Sequence, residues 1–148
     1  MMDKKLIIAL VILVLVVVAG AFLVATPSPS NDGNNSPIGS YETDNVKVFE
    51  PLPGSTVSRT FTIKGEARGT WYFEASFPIN VLDKDGNVLW AAPAQAEGDW
   101  MTTEFVPFSA LITIENYSGP ATLVLKKDNP SGLPEHEDSV SFPIVVGQ

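Results

Sequence analysis

The sequence predicts an all-β domain folded as a β-sandwich of about seven or eight strands, preceded by one N-terminal transmembrane helix. Three observations predict it. From Val46 onward, short runs of β-branched and aromatic residues alternate with turn residues at intervals of roughly 8–14 positions. No segment in that region repeats its apolar residues with helical spacing. The one long apolar run, Leu6 to Val24, stands upstream of all of it.

Leu6 to Val24 is 19 residues long and interrupted only by Gly20. About 20 apolar residues cross a bilayer core, and in lipid only a helix satisfies its own backbone there. Lys4 and Lys5 stand directly before the run, so the positive-inside rule keeps the N-terminus cytoplasmic and sends the rest outward. Ala19-Gly20-Ala21 also reads as a signal-peptide cleavage site, but the run continues through Phe22, Leu23 and Val24, longer than a usual leader core. Either reading places the following domain outside the membrane. Residues 1–25 are thus expected to be a signal anchor. The chain has no Cys, so lipidation of a mature N-terminal Cys is excluded, and the domain must hold by packing without disulfides.

Residues 26–45 are rich in Pro, Ser, Asn and Gly and bury too little apolar surface to fold. They read as a stalk of some 25 Å. The folded domain is expected over residues 46–148. Val46–Phe49 is a first run, and Pro51–Ser55 a turn cluster. Arg59–Gly65 alternates, with Phe61 and Ile63 on one face. Trp71–Asp83 reads as one long extended segment, with Asp85-Gly86 as a hairpin signal into Val88-Leu89-Trp90. Trp100–Phe108, Leu111–Glu115, Ala121–Lys126 and Ser139–Val146 follow, with turns at Tyr117–Pro120 and a loop at Asp128–Glu135. The expected core is aromatic: Phe61, Trp71, Phe73, Phe77, Trp90, Trp100, Phe105 and Phe108.

The formal charge is −8, with residues 1–25 contributing +1. That balance disfavours nucleic acid and anionic headgroups as partners. It keeps the domain soluble and leaves cationic partners or divalent metals as the sharper alternative. No cofactor is indicated.

Candidate chemistry is sparse. His136 is the only His, between two Glu in a loop, so no serine triad is in view. Glu74, Asp99 and Glu104 lie near aromatics and keep open a carboxylate glycosidase, though sequence cannot set two of them at the required separation. Asp83, Asp85 and Asn87 resemble the start of a calcium loop, but the twelfth position is Ala94, not Glu, and a hairpin turn explains the same residues. In Trp71-Tyr72-Phe73-Glu74, strand alternation sets Trp71 and Phe73 inward and leaves Glu74 to pair with Arg68 or Arg59, to lie at the surface, or to bind. Asp128-Asn129-Pro130-Ser131 reads as a rigid loop. If the domain has a site, it is expected there and at Asp99-Trp100, with Glu74 as a further binding candidate.

Gly69-Thr70-Trp71-Tyr72-Phe73-Glu74-Ala75-Ser76-Phe77-Pro78, Gly98-Asp99-Trp100-Met101-Thr102, Phe105-Val106-Pro107-Phe108 and Lys127–Glu135 together resemble the immunoglobulin-like domain family of bacterial spore germination and sporulation proteins. The resemblance spans roughly Val46 to Val146. It implies an immunoglobulin-like β-sandwich of bacterial origin and does not imply an enzyme. Three functions remain in view: an envelope module that binds another envelope protein or a cell-wall glycan, a carboxylate glycoside hydrolase, and a spacer without a partner.

Overall fold

The computed structural model describes residues 39–148. The expected membrane helix and most of the expected stalk lie outside the described residues. Among the described residues, no helix is long and apolar enough to cross a membrane.

Nine strands form the body: β1 (Tyr41–Glu42), β2 (Val46–Glu50), β3 (Thr56–Val57), β4 (Thr60–Arg68), β5 (Ser76–Asp83), β6 (Val88–Ala96), β7 (Phe105–Thr113), β8 (Gly119–Lys126) and β9 (Ser139–Val146). They run in the order β1-β2-β4-β7-β6-β5-β8-β9-β3. β4 and β7 pair along nine positions, from Thr60↔Thr113 to Arg68↔Phe105. β6 joins β7 only at Gln95↔Ser109 and Ala96↔Phe108. That narrow joint is the corner at which the sheet folds into two layers, β1-β2-β4-β7 and β6-β5-β8-β9-β3.

Period-two burial fixes which faces meet. β9 alternates strictly, with Val140, Phe142, Ile144 and Val146 buried. Ile63, Ala67, Val106, Phe108 and Ile112 answer from the other layer. Phe77 of β5 meets Phe108 of β7 edge-to-face at 4.9 Å, and Tyr41 of β1 tilts against Phe142 of β9 at 5.1 Å. Gly65 makes room for this packing: a Cβ there would lie 2.8 Å from the Phe108 ring.

The structure corrects several sequence expectations. Strand β5 begins at Ser76, not at Trp71. A single 3-10 turn at Gly69–Trp71 intervenes and breaks the alternation. Trp71 and its neighbour Tyr72 are therefore both buried, while Phe73 is 43% exposed. Phe105 lies on the outer face, its ring in contact with the Lys47 ammonium at 4.4 Å and the Arg68 guanidinium at 4.0 Å. Phe61, Trp90 and Trp100 pack at the core margin and are only partly buried. Residues 105–113 form one strand rather than two, and residues 100–104 are no strand, 101–104 being bends. The two-residue strands β1 and β3 raise the count to nine; β3 runs parallel to β9.

The Asp83–Asn87 turn is a hairpin, as expected. The Asp83 carboxylate accepts from the backbone N–H of Asp85 and of Asn87 and from the Asn87 amide, each at 2.8 Å. These donors, the Asn87 amide first, hold its carboxyl below the usual carboxylate value. Of the oxygens offered to calcium in the sequence reading, those of Asp83 are thus engaged by the turn's own N–H groups and those of Asp85 by the Lys84 ammonium.

Candidate functional site

Three connections meet at one end of the sandwich: residues 69–75 between β4 and β5, 97–104 between β6 and β7, and 127–138 between β8 and β9. They are tied together through the first. The Gly69 N–H donates to the Glu104 carbonyl at 3.0 Å, and the Asp128 N–H donates to the Trp71 carbonyl at 2.9 Å. Arg68 adds a cross-brace, donating to the carbonyls of Asp44 and Thr103, each at 3.4 Å. The fit at Gly69 is close. A Cβ there would meet the Thr102 carbonyl oxygen at 2.0 Å and that of Trp100 at 2.4 Å. Only a glycine lets the 97–104 loop lie on this turn.

The central loop is anchored from below. Tyr72 is buried and its hydroxyl donates to the Val106 carbonyl at 2.7 Å. Burial pushes the phenol pKa well above its usual value. Trp71 packs edge-to-face on Phe77 at 5.9 Å. Its indole Nε1 is enclosed and meets no acceptor among the described residues. The loop then reverses in a two-residue hairpin. Phe73 and Ser76 exchange backbone hydrogen bonds of 3.0 and 3.1 Å, with Glu74 and Ala75 at φ +49° and +61°. Both central residues at positive φ make a turn of the kind that Asn-Gly usually supplies. Here Glu and Ala carry the strain.

Two hollows flank the Gly69–Phe73 segment. One, about 380 Å³, lies against the 97–104 loop and is lined by Thr70, Tyr72, Trp100, Met101 and Thr102. The other, about 240 Å³, lies against the 127–138 loop and is lined by Thr70, Tyr72, Phe73, Lys127, His136 and residues 128–131. Thr70 and Tyr72 border both. The structure thus brings Asp128, Asn129, Pro130 and Ser131 together in one hollow and sets Trp100 in the other. Asp99 lines neither; its carboxylate accepts from the Met101 N–H at 3.0 Å and shapes its own turn. Glu74 lines neither and is exposed. The expected pairing of Glu74 with Arg68 or Arg59 is not formed, because Arg68 lies over Phe105 and reaches the carbonyls named above.

The Asn129 amide donates to the Leu133 carbonyl at 2.8 Å, and the Ser131 hydroxyl donates to the Asn129 side-chain oxygen at 2.6 Å. Both residues close the loop, as the rigid-loop reading expects. Among the described residues, no hydrogen bond engages the side chains of Thr70, Lys127, Asp128 or His136, so these face the hollow with the Phe73 ring. Sequence reasoning missed Thr70, Tyr72 and Phe73 as site residues. The available signal was Gly69-Thr70 directly after an alternating strand, which marks a loop.

The electrostatics are one-sided. The three loops hold eight carboxylates (Glu74, Glu97, Asp99, Glu104, Asp128, Glu135, Glu137 and Asp138) against Lys127 as the one Lys or Arg. A polyanion is repelled from this end.

The family model for the immunoglobulin-like domain of bacterial spore germination matches residues 45–132, more than half of the chain. The chain belongs to this family. No curated protein matches it. For this immunoglobulin-like domain, the match runs from the residue before β2 to the middle of the 127–138 loop. It takes in both hollows except His136. Strand β9 lies beyond the match yet completes the second layer by pairing with β8 and β3. Domains of this family are typically non-catalytic.

Proposed function

We propose that the chain is a membrane-anchored binding or assembly module of the bacterial cell envelope, with a role in sporulation or germination. On this reading residues 6–24 anchor it, and the domain faces outward. It is no enzyme, and its partner is another envelope protein or a cell-wall glycan. The observation that carries the proposal is the pair of hollows on either side of Gly69–Phe73, built by three loops that a disulfide-free sandwich holds at one end.

The exposed Phe73, Met101 and Leu133 in these loops speak against a spacer without a partner, because such a spacer has no use for apolar side chains at a loop tip. The glycosidase reading draws no support: Glu74, Asp99 and Glu104 border neither hollow. The acidity of this end favours a neutral glycan or a cationic protein surface over nucleic acid or anionic lipid.

Residues 36–148 form a compact unit with its own core and serve as the probe. Immobilised, this fragment is passed over detergent-solubilised envelope protein and purified wall glycan. Retention from one of the two is expected, and Phe73→Ala should reduce it. Retention from neither, or retention indifferent to both Phe73→Ala and Met101→Ala, would overturn the proposal.

A further inference from the structure

Strand β4 is covered on one side along its whole length and on the other along only half of it. Its backbone groups address the two neighbours alternately. The Arg59 carbonyl accepts from the Ile114 N–H on the β7 side, and the Gly69 N–H donates to the Glu104 carbonyl on the same side. The Arg68 N–H instead donates to the Asn45 carbonyl beside β2. Odd-numbered residues of β4 therefore bond toward β7, and even-numbered residues toward β2. Strand β2 follows β4 from Val46↔Ala67 to Glu50↔Lys64, the last pairing coming after a bulge. The chain then crosses to the other layer, where the Gly54 N–H donates to the Pro143 carbonyl and β3 pairs with β9. The N–H and C=O groups of Thr60 and Thr62 thus face the side that β2 has left. Among the described residues, none of the four has a backbone partner there.

A groove of about 670 Å³ lies along this stretch. Phe61, Thr62 and Lys64 line it from β4, and residues 49–52 and 55–58 line it from the end of β2 and the crossing segment. Leu52, Val57 and Phe61 are half-buried, so apolar surface is left uncovered within it. Its two charged residues, Glu50 and Lys64, are paired with each other at 2.8 Å. Proteins commonly blunt an open strand edge with a proline or a charge. Strand β6 does so: the Ala96 N–H bonds to the Ala75 carbonyl beside β5, and the same alternation sets Pro93, which has no N–H, on the side away from β5. Strand β4 keeps both donors, and no proline or charge stands between Thr60 and Ile63.

We propose that this groove takes an extended peptide segment of a partner protein, which adds a short strand beside β4 in the place β2 vacates. The backbone selects the occupant. Two donors and two acceptors repeating every second residue along a strand match another extended main chain, and main-chain hydrogen bonds are what give strand addition its affinity. A sugar chain carries no such repeat. The open stretch from Thr60 to Ile63 takes about four guest residues, roughly 13 Å of strand. Side chains on one face of the guest meet Leu52, Val57 and Phe61, so an apolar residue at every second position fits, and the alternate positions turn to solvent. Thr62 is half-buried within the groove. A single segment enters there, whereas the edge of a second folded copy brings its whole sheet against the crossing segment. The groove lies at the Thr60 end of β4 and the two loop hollows at its Arg68 end, so the proposal does not depend on what the loops bind.

Phage-displayed random peptides about six residues long, a usual strand length, selected on immobilised residues 36–148, supply the probe. Enrichment of peptides with apolar residues at alternate positions is expected. A synthetic copy of an enriched peptide should slow amide exchange at Thr60 and Thr62 by about tenfold or more and leave Phe61 and Ile63, already bonded toward β7, unchanged. Thr62→Pro removes a donor that the β4–β7 ladder does not use and should weaken the peptide by about tenfold or more. Phe73→Ala, at the loop end, should leave its binding unchanged. The exchange measurement is made on the parent domain, so it decides the matter even if Thr62→Pro unfolds. A library that enriches no peptide overturns the proposal, as do peptides that protect other amides but not those of Thr60 and Thr62. Protection of Thr62 in the fragment alone overturns it too: at all concentrations, the chain covers its own edge, and only at high concentration, a second copy does.

Discussion

Gly69→Ala probes the joint that holds the loop end together. The added methyl would start 2.0 Å from the Thr102 carbonyl oxygen, whereas ordinary contact begins near 3.4 Å. Both obstacles are backbone, so no side chain can swing away. The 97–104 loop must retreat by about 1.4 Å, or the 3-10 turn must shift by as much. Either movement breaks the hydrogen bond from the Gly69 N–H to the Glu104 carbonyl. Overpacking of this kind costs about 1–3 kcal/mol, and the lost hydrogen bond about 1 kcal/mol more. A loss of about 2–4 kcal/mol is therefore expected, a large part of the roughly 5–15 kcal/mol that a domain has. Urea unfolding of residues 36–148 measures it, and amide exchange should show the 97–104 loop opening before the sheet. Thr70→Ala, one residue on and exposed, should stay within about 0.5 kcal/mol. If Gly69→Ala unfolds at the same midpoint as the parent, the close approach is not what fixes this loop.

Three further outcomes follow from the same geometry. Ala75→Gly should raise stability by about 0.5–1 kcal/mol in the same urea series, since relief of positive-φ strain, about 1–2 kcal/mol, exceeds the entropy cost of glycine. Tyr72→Phe should cost about 1–3 kcal/mol by leaving the Val106 carbonyl without its donor. Because burial raises the folded phenol pKa, the tyrosine's contribution is complete below about pH 10 and declines as pH rises from there toward the raised folded value, so the variant should show a flatter alkaline limb in thermal melts. Asp83→Ala should flatten the acid limb instead. The carboxyl is held below its usual value, so its contribution is present above about pH 4 and disappears as pH falls through the folded value. The melting temperatures of parent and variant should converge in strong acid.

Strands that alternate over eight or nine residues were readable because burial on one face imposes the period directly. Thr60–Arg68 and Ser139–Val146 behave this way. The failures cluster where another geometry replaces the period. The 3-10 turn at Gly69–Trp71 carries two consecutive aromatics inward, and alternation then assigns Phe73 and Tyr72 to the wrong sides. Phe105 looks like core by composition, yet it lies under two cations on the outside. Pairs as short as Tyr41-Glu42 and Thr56-Val57 show no period; their strand character comes from their neighbours. The 128–131 part of the site was visible because Asn, Pro and Ser announce a rigid loop. The Thr70–Phe73 part was not, because its exposure follows from Gly69 meeting a loop thirty residues away in sequence.

The parallel pairing of β3 with β9 has a mechanical side. β3 leaves the layer of β2 and lies along the C-terminal strand, held by the Gly54 N–H on the Pro143 carbonyl, the Val145 N–H on the Ser55 carbonyl and the Gly147 N–H on the Val57 carbonyl. Strands that run side by side in the same direction are pulled along their length when a chain is stretched from its two ends. Their bonds then share the load together and do not open one at a time. A domain pulled from its N-terminal side and from beyond β9 would thus meet traction with a shear clamp that includes these three hydrogen bonds.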